Sequence, residues 1–346
     1  MKSTFQHTAI IRPALILFVL IALASCSKKP SYVGFAFYNV ENLFDTIDDP
    51  NTNDNSYLPD SDIPWNTERY ITKLDHLTRV MSSIDTIAGY PALFGLSEVE
   101  NFQVLKDLAN HPGLRDAKYQ IIHRDSPDER GIDVALLYRP SVFTPLTYRF
   151  IPVIFPFDTG GKTRDILYAK GVVQDSDTLH IFINHWTSRW GGREETDGKR
   201  RFTGALLKQI TDSIFGQMPG ANILIAGDLN DNPDDHSVVT DLGALPVTGN
   251  ALPGKLYNLS LAGYREGNGT LFYKSWDMFD QIIVSGNLLN PSGTLHVTSP
   301  DQEIIGHDWM LFQPAKGPAR PNRTASGSYY GGYSDHLPVF IRMRSE

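Results

Sequence analysis

Cysteine is nearly absent: Cys26 is the only one in 346 residues. Without a partner it excludes an intramolecular disulfide, and a free thiol would be a liability in an oxidising compartment. An excess of positive charge is missing too. The 31 basic and 39 acidic residues give −8 at neutral pH. No dense basic stripe interrupts that balance, so the electrostatic footprint of a tight polyphosphate binder is lacking. No internal repeat shows, and no Pro/Gly-rich linker divides the chain. The loop "DTIDDPNTNDNSYLPDSDIPW" lacks EF-hand spacing, and its Asp residues read as solvated rather than as calcium ligands. What remains is ordinary globular composition, 41% hydrophobic and 20% charged, with enough chain to bury a large core.

The first 25 residues stand apart. Lys2 and Arg12 precede the apolar run "PALILFVLIALAS", too short and one-sided for a membrane span and typical of a secretory signal. Its exit, Leu23-Ala24-Ser25-Cys26, resembles the bacterial lipobox, in which the Cys is lipidated and becomes the new N-terminus. The expectation is a signal peptide over 1–25, a tether over 26–31 and one domain over 32–346. The protein would be exported and lipid-anchored in a bacterial cell envelope, touching the membrane through Cys26. Loss of Lys2 and Arg12 would take the mature charge to −10.

Along the domain, "YVGFAFYNVENLFD" begins as a buried strand ending near Asn39. Thr67 can cap a helix that keeps Tyr70, Leu74, Leu77, Met81 and Ile84 on one face. "PALFGLSEV" is a strand and "FQVLKDLAN" a short helix. "YQIIH", "DVALLYR", "YAKGVV", "LHIFINH", "ANILIAGDLND", "FDQIIVS" and "LPVFIRM" are further strands, and Thr203 to Phe215 is helical. Several strands are apolar on both faces, which fits sheets packed on each other and covered by helices.

Polar groups gather where these strands end: Asn39, Glu98, His185, Asp228 with Asn230, Asp280, and the Asp335–His336 pair. Any one could be a harmless strand end. Together they supply amide and carboxylate oxygens, two histidines and no thiolate. That donor set suits a hard divalent cation such as Mg²⁺, with Mn²⁺ or Ca²⁺ as alternatives, not structural zinc.

"NVENLFD", "SEVEN", "SPDERGIDVALLY", "NHWTSR", "GDLNDNP" and "YSDHLPV" occur in the order seen in the endonuclease/exonuclease/phosphatase superfamily, which this chain resembles from about Tyr32 to Arg344. The resemblance implies an α+β fold, a four-layered α/β/β/α sandwich of two central, mostly antiparallel sheets flanked by helices. It implies that Asn39, Glu98 and Asp335 hold the metal, and that Asp228 and Asn230 position the attacking water and phosphoryl oxygens. His336 would be general base, or stabiliser of the transition state if Asp228 takes the proton; the first role is preferred. Asp280 would orient His336, and His185 would hydrogen-bond a phosphoryl oxygen or protonate the leaving group.

Arg130, Arg164 and Arg189, with Arg124, lie where phosphate clamps could sit. Trp186 and Trp190 could stack on a ring or belong to the core. Lys316, Arg320, Arg323, Tyr329, Tyr330 and Tyr333 decorate the loop before Asp335 and suit a phosphorylated, ring-bearing substrate. The leading expectation is a metal-dependent hydrolase, a nuclease cleaving nucleic acid phosphodiesters, with no protein partner inferred. A phosphatase or phosphodiesterase on lipid or inositol phosphates is the alternative, and a non-catalytic surface-binding lipoprotein a third.

Overall fold

Strand β1 (Tyr32–Leu43) sends Val33, Phe35 and Phe37 into one apolar core and Ala36, Tyr38 and Val40 into another. Period-two alternation with both faces buried makes it a central strand. This computed structural model describes Met1 and residues 32–174 and 177–345; the expected signal, Cys26 and the tether lie outside the described residues. Among the described residues no helix is long and apolar enough to cross a membrane.

After β1 come α1 (Thr67–Ser83), β2 (Leu93–Val99), α2 (Phe102–Asn110), β3 (Gln120–His123) and β4 (Asp133–Tyr138). They are followed by β5 (Phe143–Ile151), β6 (Ile166–Val173), β7 (Asp177–His185), α3 (Arg193–Gln217) and β8 (Asn222–Asp228). Next are β9 (Ala244–Pro246), β10 (Leu256–Asn258), a short α4 (Leu261–Arg265) and the hairpin β11 (Leu271–Phe272) and β12 (Trp276–Asp277). The chain closes with β13 (Asp280–Ser285), β14 (Leu295–Val297), β15 (Glu303–Ile304), the ribbon β16 (Leu311–Phe312) and β17 (Arg320–Pro321), and β18 (Val339–Ser345).

One sheet has the order β14-β18-β1-β2-β4-β3, with β15 also on β18; the other runs β5-β6-β7-β8-β13-β10-β9. β1–β2, β7–β8 and β9–β10 are parallel and the remaining pairs of the two sheets antiparallel. Leu136, Leu167, Ile181, Leu224 and Val339 fill the layer between the sheets. Leu77, Met81 and Leu105 of α1 and α2 cover the outer face of the first sheet, and Leu207 and Phe215 of α3 that of the second. The result is the four-layered α/β/β/α sandwich.

Several local expectations shift. The N-cap of α1 is Asn66, whose side chain accepts from the Arg69 N–H, so Thr67 is the first helical residue. α3 is longer at both ends than its apolar stripe suggested. β5 was not expected: much of it is exposed, and Pro145, which cannot donate to a ladder, sits at a register shift on this edge strand. In the loop after β1, Asp54 is buried rather than solvated. Phe44 stacks on Tyr57 at 4.1 Å, and Trp65 donates to the Phe44 carbonyl.

Candidate active site

Register brings the strand ends to one edge of the sandwich. Asn39 lies beside Ser97 in the parallel β1–β2 pair, His185 beside Asp228 in β7–β8, and Asp228 opposite Asp280 in β8–β13. Gly227 allows the close approach of β8 to β7, since a Cβ there would meet the Asn184 carbonyl oxygen at 2.3 Å. β1 does not end near Asn39; its pairing with β2 breaks between Asn39 and Leu43 and resumes. Glu41 (φ 49°), Asn42 (φ 57°), Glu98 (φ 62°) and Asn230 (φ 50°) all occupy the left-handed region. Such backbone is costly for non-glycine residues and concentrates at functional sites. The Glu98 carboxylate reaches across to β1, where the Asn42 N–H donates to its Oε2 at 3.0 Å.

The catalytic candidates form one buried group. His336 Nδ1 lies 2.6 Å from Asp280 Oδ2, and Asp280 is fully buried. Asp228 accepts from the Asn39 amide at 3.0 Å and from the Asn230 N–H at 2.9 Å. Its Oδ2 stands 3.7 Å from His185 Nε2 and 3.8 Å from His336 Nε2. Those gaps are too long for direct hydrogen bonds. Burial, only partly offset by His336, pulls the Asp228 pKa up to about 6. Burial alone would lower His336, but the charges of Asp280 and Asp228 outweigh it and raise its pKa well above the usual histidine value. For His185, burial and then the Arg164 and Arg130 charges push the pKa well down. The Asp280 and Asp228 charges thus favour the cationic ring for His336, and burial favours the neutral ring for His185. A ring that holds its proton is suited to stabilising charge, the second of the two roles expected for His336.

The residues expected to hold the cation lie around this group. Asn39 accepts from the Glu41 N–H at 2.9 Å through its amide oxygen and donates to Asp228 through its amide nitrogen. The carboxylate that the sequence reading missed is Glu41, two residues on and 3% exposed. Burial first, and then the nearby Asp335 charge, raise its pKa to about 7. Glu98 lies beside this pair, with Oε1 3.8 Å from His185 Nε2. Glu41 and Asp335 share Arg323 as a donor, and Glu98 accepts from the Asn42 N–H; carboxylate oxygens of this kind suit a hard cation by donor chemistry. Period-two alternation could have flagged Glu41, since it shares a face with Asn39; the bulge hid it. A separate His123–Asp125–Asp133 group has ligand atoms within 4.8 Å of one another, but Asp133 is already held by His123 and the Ser126 N–H.

The sequence model of the Endonuclease/Exonuclease/phosphatase family matches residues 34–345. The chain belongs to this family. No curated protein matches it. Among solved structures, D. rerio TDP2 complexed with single-strand DNA product has a TM-score of 0.55 at 16% identity, over 91% of this chain and 100% of that one. The human Nocturnin catalytic domain with bound sulfate scores 0.54 at 16% identity, over 90% and 94%. The Bacteroides thetaiotaomicron mannosyl-6-phosphatase scores 0.52 at 16% identity, over 90% and 99%. At these identities the likeness establishes the fold.

Around the site of this family member, two of the expected arginine clamps are committed elsewhere. Arg164 donates to the backbone carbonyls of His185 and Trp186 and to Asp128; it staples the His185 strand end instead of facing substrate. Arg189 is tied to the Asn230 carbonyl, Asp231 and Asp235. Arg130 is half-exposed beside Asp128 and is the one of the three free to meet a phosphate. Trp186 is core, donating to Asn184 Oδ1 at 3.2 Å, whereas Trp190 is 90% exposed. Asp335 accepts from Arg323 at 3.0 Å, so the adjacent Asp335 and His336 side chains serve different neighbours.

Proposed function

We propose that the protein is a divalent-metal-dependent phosphoester hydrolase that cleaves by in-line attack of an activated water. The observation that carries this reading is Asp228 Oδ2 standing 3.7 and 3.8 Å from two ring nitrogens, one neutral and one cationic. Glu41, Glu98 and Asp335 would hold the cation, which supplies charge neutralisation at the phosphoryl oxygens. Asp228, ionised at pH 7 yet basic, takes the proton of the attacking water. Asn39 and the Asn230 N–H fix its orientation. His336, held as imidazolium by Asp280, stabilises the charge that grows on the phosphoryl group. His185, as a neutral ring, donates a hydrogen bond to the leaving oxygen as its P–O bond breaks, and that oxygen takes up a proton from solvent. Charge placed in a buried site before the reaction costs no reorganisation during it.

Nucleic acid phosphodiester is the first substrate to test, supported by the exposed Trp190 and Tyr330 and by Arg130 at the rim. A small phosphomonoester is the second, favoured by the net charge of −8. We further infer export and lipid anchoring through Cys26. The test is purified protein with Mg²⁺ against plasmid DNA, RNA, sugar phosphates, inositol phosphates and phospholipid head-group esters. The expected result is turnover of at least one that His336→Ala abolishes. No turnover of any, or turnover unchanged in His336→Ala, would refute the reading.

A further inference from the structure

Helix α1 presents Lys73, His76 and Arg79 along one face, spaced three residues apart, and all three reach the same distant segment. Lys73 is 1% exposed. Its ammonium donates to Thr324 Oγ1 at 2.5 Å and to the Tyr333 carbonyl at 2.7 Å, so one buried cation ties together both ends of 324–333. His76 Nδ1 lies 3.0 Å from the Gly332 carbonyl oxygen, and its ring stacks on Tyr333. Arg79 donates to Tyr333 Oη at 3.1 Å and covers the Trp309 ring. Gly332 is packed so closely that a Cβ would sit 2.0 Å from the Asn322 carbonyl oxygen, which leaves the returning backbone a single path.

The segment held this way shapes the carboxylate cluster. The Thr324 N–H donates to Glu41 Oε2 at 2.6 Å, and Arg323 donates to Glu41 Oε1 at 3.2 Å and Asp335 Oδ2 at 3.0 Å. Glu41 and Asp335 come from opposite ends of the chain, and this segment is their shared hydrogen-bonding partner. A buried lysine contributes little stability that an apolar residue would not, and Lys73 spends its donors on the segment, not on its own helix. We propose that this face of α1 is a clasp, and that Lys73 is a positioning residue which fixes residues 323–335 and through them the spacing of Glu41 and Asp335. The proposal rests on the reading that these carboxylates hold the cation.

The test uses full-length Lys73→Met, with His76→Gln and Arg79→Met as milder variants should the first not fold. Backbone hydrogen exchange is measured at Thr324, Gly332 and Tyr333, whose N–H groups are hydrogen-bonded to Glu41, Arg323 and Asn322, with no metal or substrate present. Mg²⁺ affinity is then measured by calorimetry. Lys73→Met should speed exchange at these amides about tenfold or more while β1 and β8 stay protected. It should weaken Mg²⁺ binding by a similar factor and leave kcat at saturating metal within about threefold; the milder variants shift the same quantities less. Unchanged exchange and affinity in folded variants would overturn the proposal. So would uniform loss of protection with Mg²⁺ affinity intact, or a wild type that binds no Mg²⁺. A wild type that binds Mg²⁺ and keeps the segment ordered but hydrolyses nothing would instead refute the hydrolase reading.

Discussion

Replacing Asp280 with Asn tests the catalytic assignment most directly. The carboxylate is fully buried and 2.6 Å from His336 Nδ1, and an amide keeps its size while removing its charge. Two unit charges about 4 Å apart attract by about 4 kcal/mol at an effective dielectric of about 20. At about 1.4 kcal/mol per unit that is about 3 units of His336 pKa. Because His336 acts protonated, rate is lost as pH rises through its pKa, so the alkaline limb of kcat/KM should move acidward by about 2–3 units. Asp228 acts ionised, and rate is gained as pH rises through about 6. Losing the Asp280 charge also relieves Asp228, so the acid limb shifts slightly the same way. At neutral pH turnover should fall about 10²- to 10⁴-fold, the usual worth of a positioned proton-transfer group. The assay is kcat/KM for an activated aryl phosphodiester from pH 5 to 9 at saturating Mg²⁺. His336→Ala and the double mutant complete the cycle, with the double mutant little worse than His336→Ala because the pair acts as a unit. An unmoved alkaline limb, or losses that simply add, would refute the pairing.

Chelation with EDTA should abolish activity, and Glu98→Gln or Glu41→Gln should raise the half-saturating Mg²⁺ about tenfold or more; full activity in chelator would be decisive against this. The Glu41 pKa is raised in the fold from 4.5 to about 7, so its contribution to metal-free stability is complete at low pH and lost as pH rises through about 7. Glu41→Gln should flatten that decline in urea melts taken from pH 5 to 8, and an unaltered slope would contradict the assignment. Arg200 is fully buried with Nε 2.8 Å from Asp231 Oδ1. Arg200→Met should cost about 3–5 kcal/mol in urea unfolding, and a loss under about 1 kcal/mol would show that Arg189 neutralises Asp231 alone. Fatty-acid labelling should mark the wild type and not Cys26→Ser, and label retained in the variant would dismiss lipidation at that residue.

Legibility in the sequence followed burial. β1, β2, β4, β7, β8 and β18 show as long apolar runs because both their faces are covered, and the polar residues that end those runs are the ones brought to the site. β5 escaped notice because its pattern is mostly exposed with a proline inside. β9, β11, β12, β15, β16 and β17 span two or three residues each, too short to carry a period, and exist only because neighbours pair with them.

By itself, the amino-acid order determined which side chains end the buried strands, and hence a donor set of carboxylates, amides and two histidines suited to phosphoester chemistry. Tertiary structure alone decided their neighbours. Whether Asp228 or His336 holds the proton depends on burial and on every charge nearby, and the Asp280 and Asp228 charges that favour a cationic His336 reach it only through the β8–β13 register and the fold of the last segment. Glu41 meets Asp335 because Arg323, far along the chain, donates to both carboxylates. Arg164 and Arg189 look like phosphate clamps in one dimension, yet nearby carbonyls and carboxylates take up their donors before any substrate arrives. Proton affinity and donor availability are sums over neighbours in space, and those neighbours lie up to hundreds of residues away along the chain.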